Sequence, residues 1–248
     1  SSPRIRTVKT RAESGSAMEQ LSFPLELRKA KLDLMFFSGP IMPLAYTGKT
    51  VSMVPDLVSY FYPEKHQKGS GTRFLHNFLL RQSMRKSARI IVWSEVLKRD
   101  IIEIFDTPEE KIEVIAPMCL VTKLTGKDDG KAFLNQEKMS EKYLLSVGEL
   151  REYKNIPRLL QTYALLIKES GMDMDLVLVG KEDPSYHDIR SNLIQLGLQG
   201  RVHIYNILED DKIDILYKNA SAYILPSLYE GSEQSVLSAL DYGLPIIS

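Results

Sequence analysis

Short apolar runs alternate with segments of helical periodicity through the second half of the chain. The run 143–147 (YLLSV) precedes a segment, 155–168, in which apolar side chains recur about every 3.6 residues. The same plan continues, with strands predicted at 175–180, 202–205, 222–225 and 244–247 and helices at 186–196, 212–218 and 232–242. Near-continuous apolar strands are typical of a parallel sheet covered on both faces. The alternation therefore predicts an open, doubly wound α/β domain, with its ligands at the carboxyl ends of the strands.

The first half of the chain repeats this plan less regularly. Strands are predicted at 32–37, 50–54, 88–93 and 111–115, and helices at 74–87 and 96–105, the second of them capped by Ser94. We therefore expect an α/β fold with two Rossmann-like domains, at 18–120 and 141–248, joined by a linker at 121–140. Residues 1–17 are polar and rich in serine and arginine, so we expect them to be irregular.

Composition excludes several classes of protein. Lys and Arg total 32 and Asp and Glu total 32 in 248 residues, so the net charge is zero, which argues against a strongly basic nucleic-acid-binding protein. The single cysteine, Cys119, excludes a disulfide scaffold, and no Cys and His cluster has the spacing of a zinc site. Apolar runs stay shorter than the roughly 18 residues of a transmembrane helix. We expect a cytoplasmic protein.

The segment 226–235 (PSLYEGSEQS) follows a predicted strand and opens a predicted helix. The N-terminus of a helix presents unpaired N–H groups and the positive end of a dipole, which together favour a phosphate. Gly231 lets a ligand approach the backbone, Ser232 and Ser235 add hydroxyl groups, and Glu230 would face the ligand. The alternative is a helix capped by Ser232, with Glu230 as a solvated charge.

A second candidate loop, 148–155 (GELREYKN), follows the strand 143–147. A glycine turn after a strand, with Lys154 at the start of the next helix, brings a cation to a pyrophosphate. If the strands before the two loops run parallel, Lys154 and Glu230 lie across the same edge of the sheet. The alternative is an ordinary polar loop between a strand and a helix.

Taken together, these segments resemble one family. Residues 143–248 are similar to the C-terminal domain of the retaining family 4 glycosyltransferases, which have the GT-B fold. The matching stretches are YLLSVGELREYKNIPRLL, LVLVGK, AYILPSLYEG and VLSALDYGLPII. The first half resembles, more loosely, the later part of the family's N-terminal domain. Because the family's opening strand with its glycine-rich loop and its C-terminal tail are not matched, we expect both domains to be incomplete and the chain to be part of a larger protein.

The resemblance implies transfer of a hexose or deoxyhexose, of mannosyl or rhamnosyl type, from a nucleotide-diphosphate sugar to a glycan or lipid-linked acceptor. The anomeric configuration would be retained, without a metal or another cofactor. Lys154 and Glu230 match the family's catalytic residues, and Asp56 matches a residue on the acceptor side. The positions that match the donor-binding segments are Gly148, Arg151, Gly231, Ser232, Glu233, Gln234, Ser235, Ser238, Ile207 and Leu208.

Three positions depart from the family pattern. Ser238 stands where the second acid of the E-x7-E motif is expected, Glu149 where a basic residue often follows the glycine, and Pro55 where a histidine often precedes the aspartate. These departures motivate a second hypothesis, a non-catalytic GT-B-like partner or scaffold of an active transferase. A third hypothesis is an epimerase acting on the nucleotide sugar.

The segment 72–89 is amphipathic and basic. It combines Phe74, Leu75, Phe78 and Leu79 with five arginines and lysines, at positions 73, 81, 85, 86 and 89. Such a helix is suited to the surface of an anionic membrane, here the inner face of the cell membrane, or to a lipid-linked acceptor. The alternative is a helix that packs on its own sheet and exposes a charged face.

Overall fold

Every strand among the described residues belongs to one of two parallel sheets. The computed structural model describes residues 7–10, 17–63, 69–118, 130–182, 189–231 and 234–248. The chain divides into two units, Ser1–Ala116 and Pro117–Ser248, and each unit holds one of the sheets.

The sheet of the first unit has its strands in chain order, and they are β1 (Met35–Phe37), β2 (Thr50–Val54), β3 (Arg89–Val92) and β4 (Ile112–Val114). The helices of this unit are α1 (Ala17–Leu21), α2 (Phe23–Ala30), α3 (Val58–Phe61), α4 (Ser70–Lys86) and α5 (Glu95–Phe105). The Ser94 hydroxyl accepts a hydrogen bond from the Leu97 N–H at 3.2 Å, which confirms the predicted cap of α5.

The second unit holds a five-stranded sheet with the order β7-β6-β5-β8-β9. Its strands are β5 (Tyr143–Val147), β6 (Asp175–Val179), β7 (Val202–Tyr205), β8 (Ala222–Ile224) and β9 (Ile246–Ile247). Its helices are α6 (Lys131–Gln136), α7 (Ile156–Ser170), α8 (Ile189–Gln195), α9 (Asp210–Asn219) and α10 (Gln234–Asp241). The chain runs outward from β5 to β7, then returns to the other side of β5 with β8, so the strand order reverses between β5 and β8.

Both faces of this second sheet are buried. Successive residues of β5, Leu144 and Leu145, belong to cores on opposite sides of the sheet, and so do Leu176 and Val177 of β6. One core includes side chains of α7 and α8, and the other includes side chains of α9 and α10. The doubly wound arrangement predicted from the continuous apolar runs is therefore present in this unit.

Helix α6 lies within the segment expected to be a linker. Leu134 of α6 and Met139 are buried in the same core as Tyr143 and Leu216, so residues from 131 onward are part of the second unit. The sequence offers little sign of this, because the helix has six residues and a single fully buried apolar side chain. Residues 121–129 of the expected linker, like residues 1–6 and 11–16, lie outside the described residues.

Within the described part of the chain, we find no helix with the length and apolar character needed to cross a membrane.

Candidate functional site

The candidate site lies at the carboxyl ends of β5 and β8, where the strand order of the second sheet reverses. In open α/β sheets, ligands bind in the crevice that forms at such a reversal, because the loops on either side leave in opposite directions. The loop after β5 begins at Gly148, and the loop after β8 carries Glu230. These are the two segments that the sequence singled out.

Two glycines close the base of the site. Gly148 and Gly180 have φ angles of +149° and +154°, which residues with a side chain rarely adopt. A Cβ atom on Gly180 would lie 1.9 Å from the carbonyl oxygen of Gly148, so the ends of β5 and β6 approach each other too closely for any other residue at position 180. A Cβ atom on Gly148 would lie 3.1 Å from Lys154 Nζ, which shows that the lysine lies directly over this turn.

Lys154 and Glu230 form the central contact of the site. Lys154 ends a 3-10 turn, Glu152–Lys154, and Asn155 then takes a left-handed conformation with a φ of +53° before α7 begins. Lys154 Nζ lies 2.7 Å from Glu230 Oε1, and the two side chains are only 8% and 20% exposed. The folded chain thus holds one cation and one carboxylate side by side at the point where the sheet order reverses.

The two loops are also joined by the backbone. The Leu228 N–H donates a hydrogen bond to the Tyr153 carbonyl at 2.7 Å. Lys154 Nζ lies 5.3 Å from the centre of the Tyr153 ring, which stabilises the ammonium group. Tyr153 was not among the predicted site residues, because its contribution is largely made by a backbone carbonyl, which the residue type does not reveal.

Arg151 and Glu149 pair with each other. Arg151 Nε lies 2.6 Å from Glu149 Oε2, and both side chains are partly exposed. The positive charge expected from Arg151 is therefore balanced locally by the carboxylate that departs from the family pattern. An anion in the site would compete with Glu149 for this guanidinium.

The N-terminus of α10 supplies the other predicted donor-binding residues. Gln234 is the first residue of the helix and is exposed, and Gly231 is buried. Ser235 bonds through its hydroxyl to the hydroxyl of Tyr223, a fully buried residue of β8. Ser238 is 4% exposed and donates to the Gln234 carbonyl at 3.0 Å, so its hydroxyl bonds within the helix. Ser232 and Glu233 lie outside the described residues.

The remaining predicted residues lie elsewhere. Ile207 and Leu208 follow β7 at the same carboxyl edge of the sheet, where Ile207 is 84% exposed and Leu208 packs on the core. Asp56 belongs to the first unit, and its carboxylate accepts a hydrogen bond from the Val58 N–H at 2.8 Å, at the start of α3.

Among the described residues, no three His, Cys, Asp or Glu side chains lie close enough together to hold a metal ion. The charged groups that the structure brings together at the site are Lys154, Glu230, Arg151 and Glu149. A lysine and a helix N-terminus are both suited to binding a phosphate.

Comparison with known proteins places these features in a family. Residues 129–248 match the family described as Glycosyl transferases group 1. The chain is 26% identical over 219 residues to O-antigen chain mannosyltransferase B of Escherichia coli, covering 85% of this chain and 56% of that protein. It is 23% identical over 194 residues to the O-antigen chain mannosyltransferase RfbU of Salmonella typhimurium, covering 78% and 50%. The chain thus spans about half the length of these curated relatives.

Solved structures agree with this assignment at the level of the fold. Anabaena Alr3699/HepE, in complex with UDP and glucose, superposes with a TM-score of 0.71 at 15% identity, covering 94% of this chain and 64% of that chain. WaaG, a glycosyltransferase involved in lipopolysaccharide biosynthesis, gives a TM-score of 0.70 at 15% identity, covering 96% and 66%. The GT-B fold predicted from the sequence is confirmed. The part of the second unit that matches the group 1 glycosyl transferases, residues 129–248, is the part that carries the Lys154–Glu230 pair.

Proposed function

We propose that this chain is the catalytic part of a retaining glycosyltransferase that moves a mannosyl- or rhamnosyl-like sugar from a nucleotide-diphosphate donor to a glycan or lipid-linked acceptor. The observation that carries the proposal is the Lys154–Glu230 pair at the reversal of the strand order, beside the N-terminus of α10. Two relatives named as O-antigen chain mannosyltransferases support the sugar class.

The pair has a clear role in this chemistry. A diphosphate at the site gives Lys154 a second anionic partner, and the Glu230 carboxylate accepts hydrogen bonds from sugar hydroxyls. As the bond between the anomeric carbon and the phosphate oxygen breaks, negative charge grows on the leaving phosphate, and Lys154 stabilises it most at that moment. Backbone N–H groups at the start of α10 bind the same charge.

Retention follows if the acceptor attacks from the face that the phosphate leaves. The acceptor oxygen forms the new bond to the anomeric carbon, and its proton passes to an oxygen of the departing phosphate. No residue of the protein is then needed as a nucleophile or a base. Glu230 orients the sugar, and Lys154 and α10 hold the phosphate in place.

A thermal-shift panel of GDP-, UDP-, dTDP- and ADP-sugars tests the proposal. A ligand that binds the folded state raises its apparent stability by RT ln(1 + [L]/Kd). We expect a shift with one base family, abolished by Lys154→Met and kept by Lys218→Met, which breaks an ion pair within α9 instead. No shift with any sugar, from a folded sample, contradicts the proposal.

Turnover assays with the same nucleotide sugars separate the alternatives. The Glu149–Arg151 pair and the internally bonded Ser238 favour the non-catalytic hypothesis, because both reduce the polar groups left for a donor. Binding without transfer to any glycan acceptor, together with capture of an active transferase, supports a partner or scaffold. Conversion of the donor sugar to an isomer without acceptor supports an epimerase.

We also propose that α4 contacts an anionic membrane surface from the cytoplasmic side. The helix packs on its own unit through Leu80 and Met84, both fully buried, whereas Phe74 is 74% exposed and Leu75 and Phe78 are exposed beside it. Exposed Arg73, Arg81 and Arg85 flank these side chains. An apolar patch bordered by arginines is suited to anionic lipid headgroups.

Vesicle flotation tests this contact. We expect binding to vesicles that contain phosphatidylglycerol, little binding to phosphatidylcholine alone, and loss of binding in Phe74→Ser/Phe78→Ser. The control is Leu165→Ser/Ile194→Ser, which removes exposed apolar side chains from the second unit. Equal binding to both vesicle types contradicts the proposal.

A further inference from the structure

Tyr223 connects the two loops of the site from beneath. It lies in β8 and is fully buried, and its hydroxyl donates a hydrogen bond to the Val147 carbonyl at 2.9 Å. Val147 is the last residue of β5, directly before Gly148. The same hydroxyl bonds to that of Ser235, the second residue of α10. One phenol therefore touches the start of the Gly148 loop and the first turn of the phosphate-facing helix.

The direction of these hydrogen bonds follows from the number of protons. A phenol has one proton to donate, and a carbonyl only accepts, so the Tyr223 proton belongs to the bond with Val147. The bond between the two hydroxyls must then use the proton of Ser235. Ser235, one of the predicted donor-binding residues, thus donates to Tyr223, and this bond joins the first turn of α10 to the sheet.

Two further tyrosines hold the Tyr223 ring. The Tyr217 ring of α9 stacks on Tyr223, with centroids 6.1 Å apart and planes at 12°, and Tyr242 stacks on Tyr217 at 5.4 Å. The Tyr217 hydroxyl also donates to the Ser235 carbonyl at 3.3 Å. Side chain and backbone of Ser235 are thus both bonded to this stack, so α10 has little freedom to shift relative to β5.

We infer that Tyr223 is a positioning residue that sets the N-terminus of α10 and the Gly148 loop at the spacing that one diphosphate requires. The inference rests on the proposed function of the site. Tyr223 touches no reacting atom in this account. Lys154 moves with the Gly148 loop, and the phosphate-binding N–H groups move with α10. A change in the distance between the loop and the helix therefore weakens the contacts of the diphosphate with Lys154 and with the N–H groups at once.

The test compares Tyr223→Phe with Tyr143→Phe. Tyr143 is also fully buried, and its hydroxyl donates to the Leu216 carbonyl of α9 at 2.8 Å, far along β5 from Gly148. Each variant keeps its ring and loses buried hydrogen bonds of one hydroxyl: the bond to Leu216 in Tyr143→Phe, and the bonds to Val147 and Ser235 in Tyr223→Phe. Both should lose stability to urea, Tyr223→Phe the more, so binding is compared in samples shown to be folded. The probes are GDP, UDP, dTDP and ADP, titrated by calorimetry. We expect about fivefold weaker binding of the preferred nucleotide in Tyr223→Phe and unchanged binding in Tyr143→Phe.

Ser235→Ala and the double variant complete a double-mutant cycle with Tyr223→Phe. If the two hydroxyls act through one contact, Tyr223→Phe/Ser235→Ala binds no more weakly than either single variant. Amide hydrogen exchange adds a reading that needs no ligand, since Tyr223→Phe should speed exchange in 148–154 and 234–238 together and Tyr143→Phe should not. Wild-type binding in Tyr223→Phe, fully additive effects, or unchanged exchange overturns the inference. If the wild-type chain binds none of the four nucleotides, the proposed function fails, and exchange alone decides whether Tyr223 positions the loops.

Discussion

The second sheet carries a buried charged cluster at each end, and the two clusters differ in how their charges are satisfied. At the amino end, the Asp175 carboxylate accepts from the Ser140 N–H at 2.7 Å, lies 3.1 Å from His203 Nε2, and lies 3.6 Å from Arg201 Nε. At the carboxyl end, Lys154 and Glu230 pair with each other across two loops.

The difference lies in the backbone around each cluster. Asp175 and His203 are strand residues, and Arg201, in the turn before β7, also donates to the carbonyls of Met172 and Met174 at 3.1 Å, so two of the three charged groups stand on the sheet itself. Lys154 and Glu230 sit on loops, beside glycines with positive φ angles and the start of a helix. Burial and charge alone therefore do not identify a ligand site, and the loops and the helix terminus distinguish the two clusters.

The largest effect, on the free energy of unfolding, is expected from a substitution that breaks the amino-end cluster. Asp175→Ala removes the buried acceptor of the Ser140 N–H and the partner of His203, while Arg201 keeps its pair with Asp173 at 2.8 Å, and should lower the free energy of unfolding by about 2 kcal/mol. Urea unfolding measures the loss. Nucleotide affinity at a temperature where the variant is folded should stay unchanged. A weaker affinity in proportion to the lost stability would show that the two ends are not independent.

The next largest effect, on the rate of sugar transfer, is expected from substitutions that break the carboxyl-end cluster. Lys154→Met and Glu230→Gln should each lower the rate of sugar transfer at least tenfold, because each removes a group that binds the donor in the transition state. Release of nucleoside diphosphate from the preferred donor, with a glycan acceptor present, gives the rate. Lys218→Met is the control for loss of an ion pair. Unchanged turnover in both site variants removes these residues from the mechanism.

A smaller effect comes from the glycine below Lys154. Gly148→Ala places a methyl group 3.1 Å from Lys154 Nζ, whereas Gly171→Ala places one where no atom lies within 4 Å, and both put a side chain at a positive φ angle. Both variants should lose stability, Gly148→Ala the more. Only Gly148→Ala should weaken nucleotide binding, by a few-fold, as calorimetry will measure. Equal binding in the two variants means that Lys154 tolerates displacement.

The smallest expected effect is a change in the pH dependence of stability, which comes from one buried tyrosine at each end of the sheet. Burial raises the pKa of Tyr143 at the amino end and, together with a hydrogen bond to Glu137, that of Tyr205 at the carboxyl end. The folded state therefore holds protons that the unfolded state releases above about pH 10, so stability is complete below that pH and falls as the pH rises further. Urea midpoints between pH 9 and 11 should fall less steeply in Tyr143→Phe and Tyr205→Phe. Identical slopes in all three proteins contradict this.

The second sheet was largely predictable, because its strands are apolar runs bounded by polar loops. β5 and β7 begin and end at the predicted residues, and parallel strands were enough to expect Lys154 and Glu230 at one edge. Helix α6 was not predictable, since one buried leucine in six residues gives no periodicity.

The contacts of the Tyr223 hydroxyl also could not be predicted from the sequence. An aromatic residue in an apolar strand predicts packing, whereas its hydroxyl partners lie 76 and 12 residues away along the chain. Only the folded sheet brings them together. Glu149 and Arg151 are only two positions apart, and the sequence presents them as a repulsive charge beside an attractive one, whereas the structure shows that they pair with each other.

Calorimetric titration of the chain with the nucleoside diphosphate of the preferred donor tests the central claim most directly. We expect the wild-type chain to bind, Lys154→Met to bind at least tenfold more weakly, and Lys218→Met to bind as the wild type does. If Lys154→Met binds as tightly as the wild type, the diphosphate site does not lie at the carboxyl end of the second sheet.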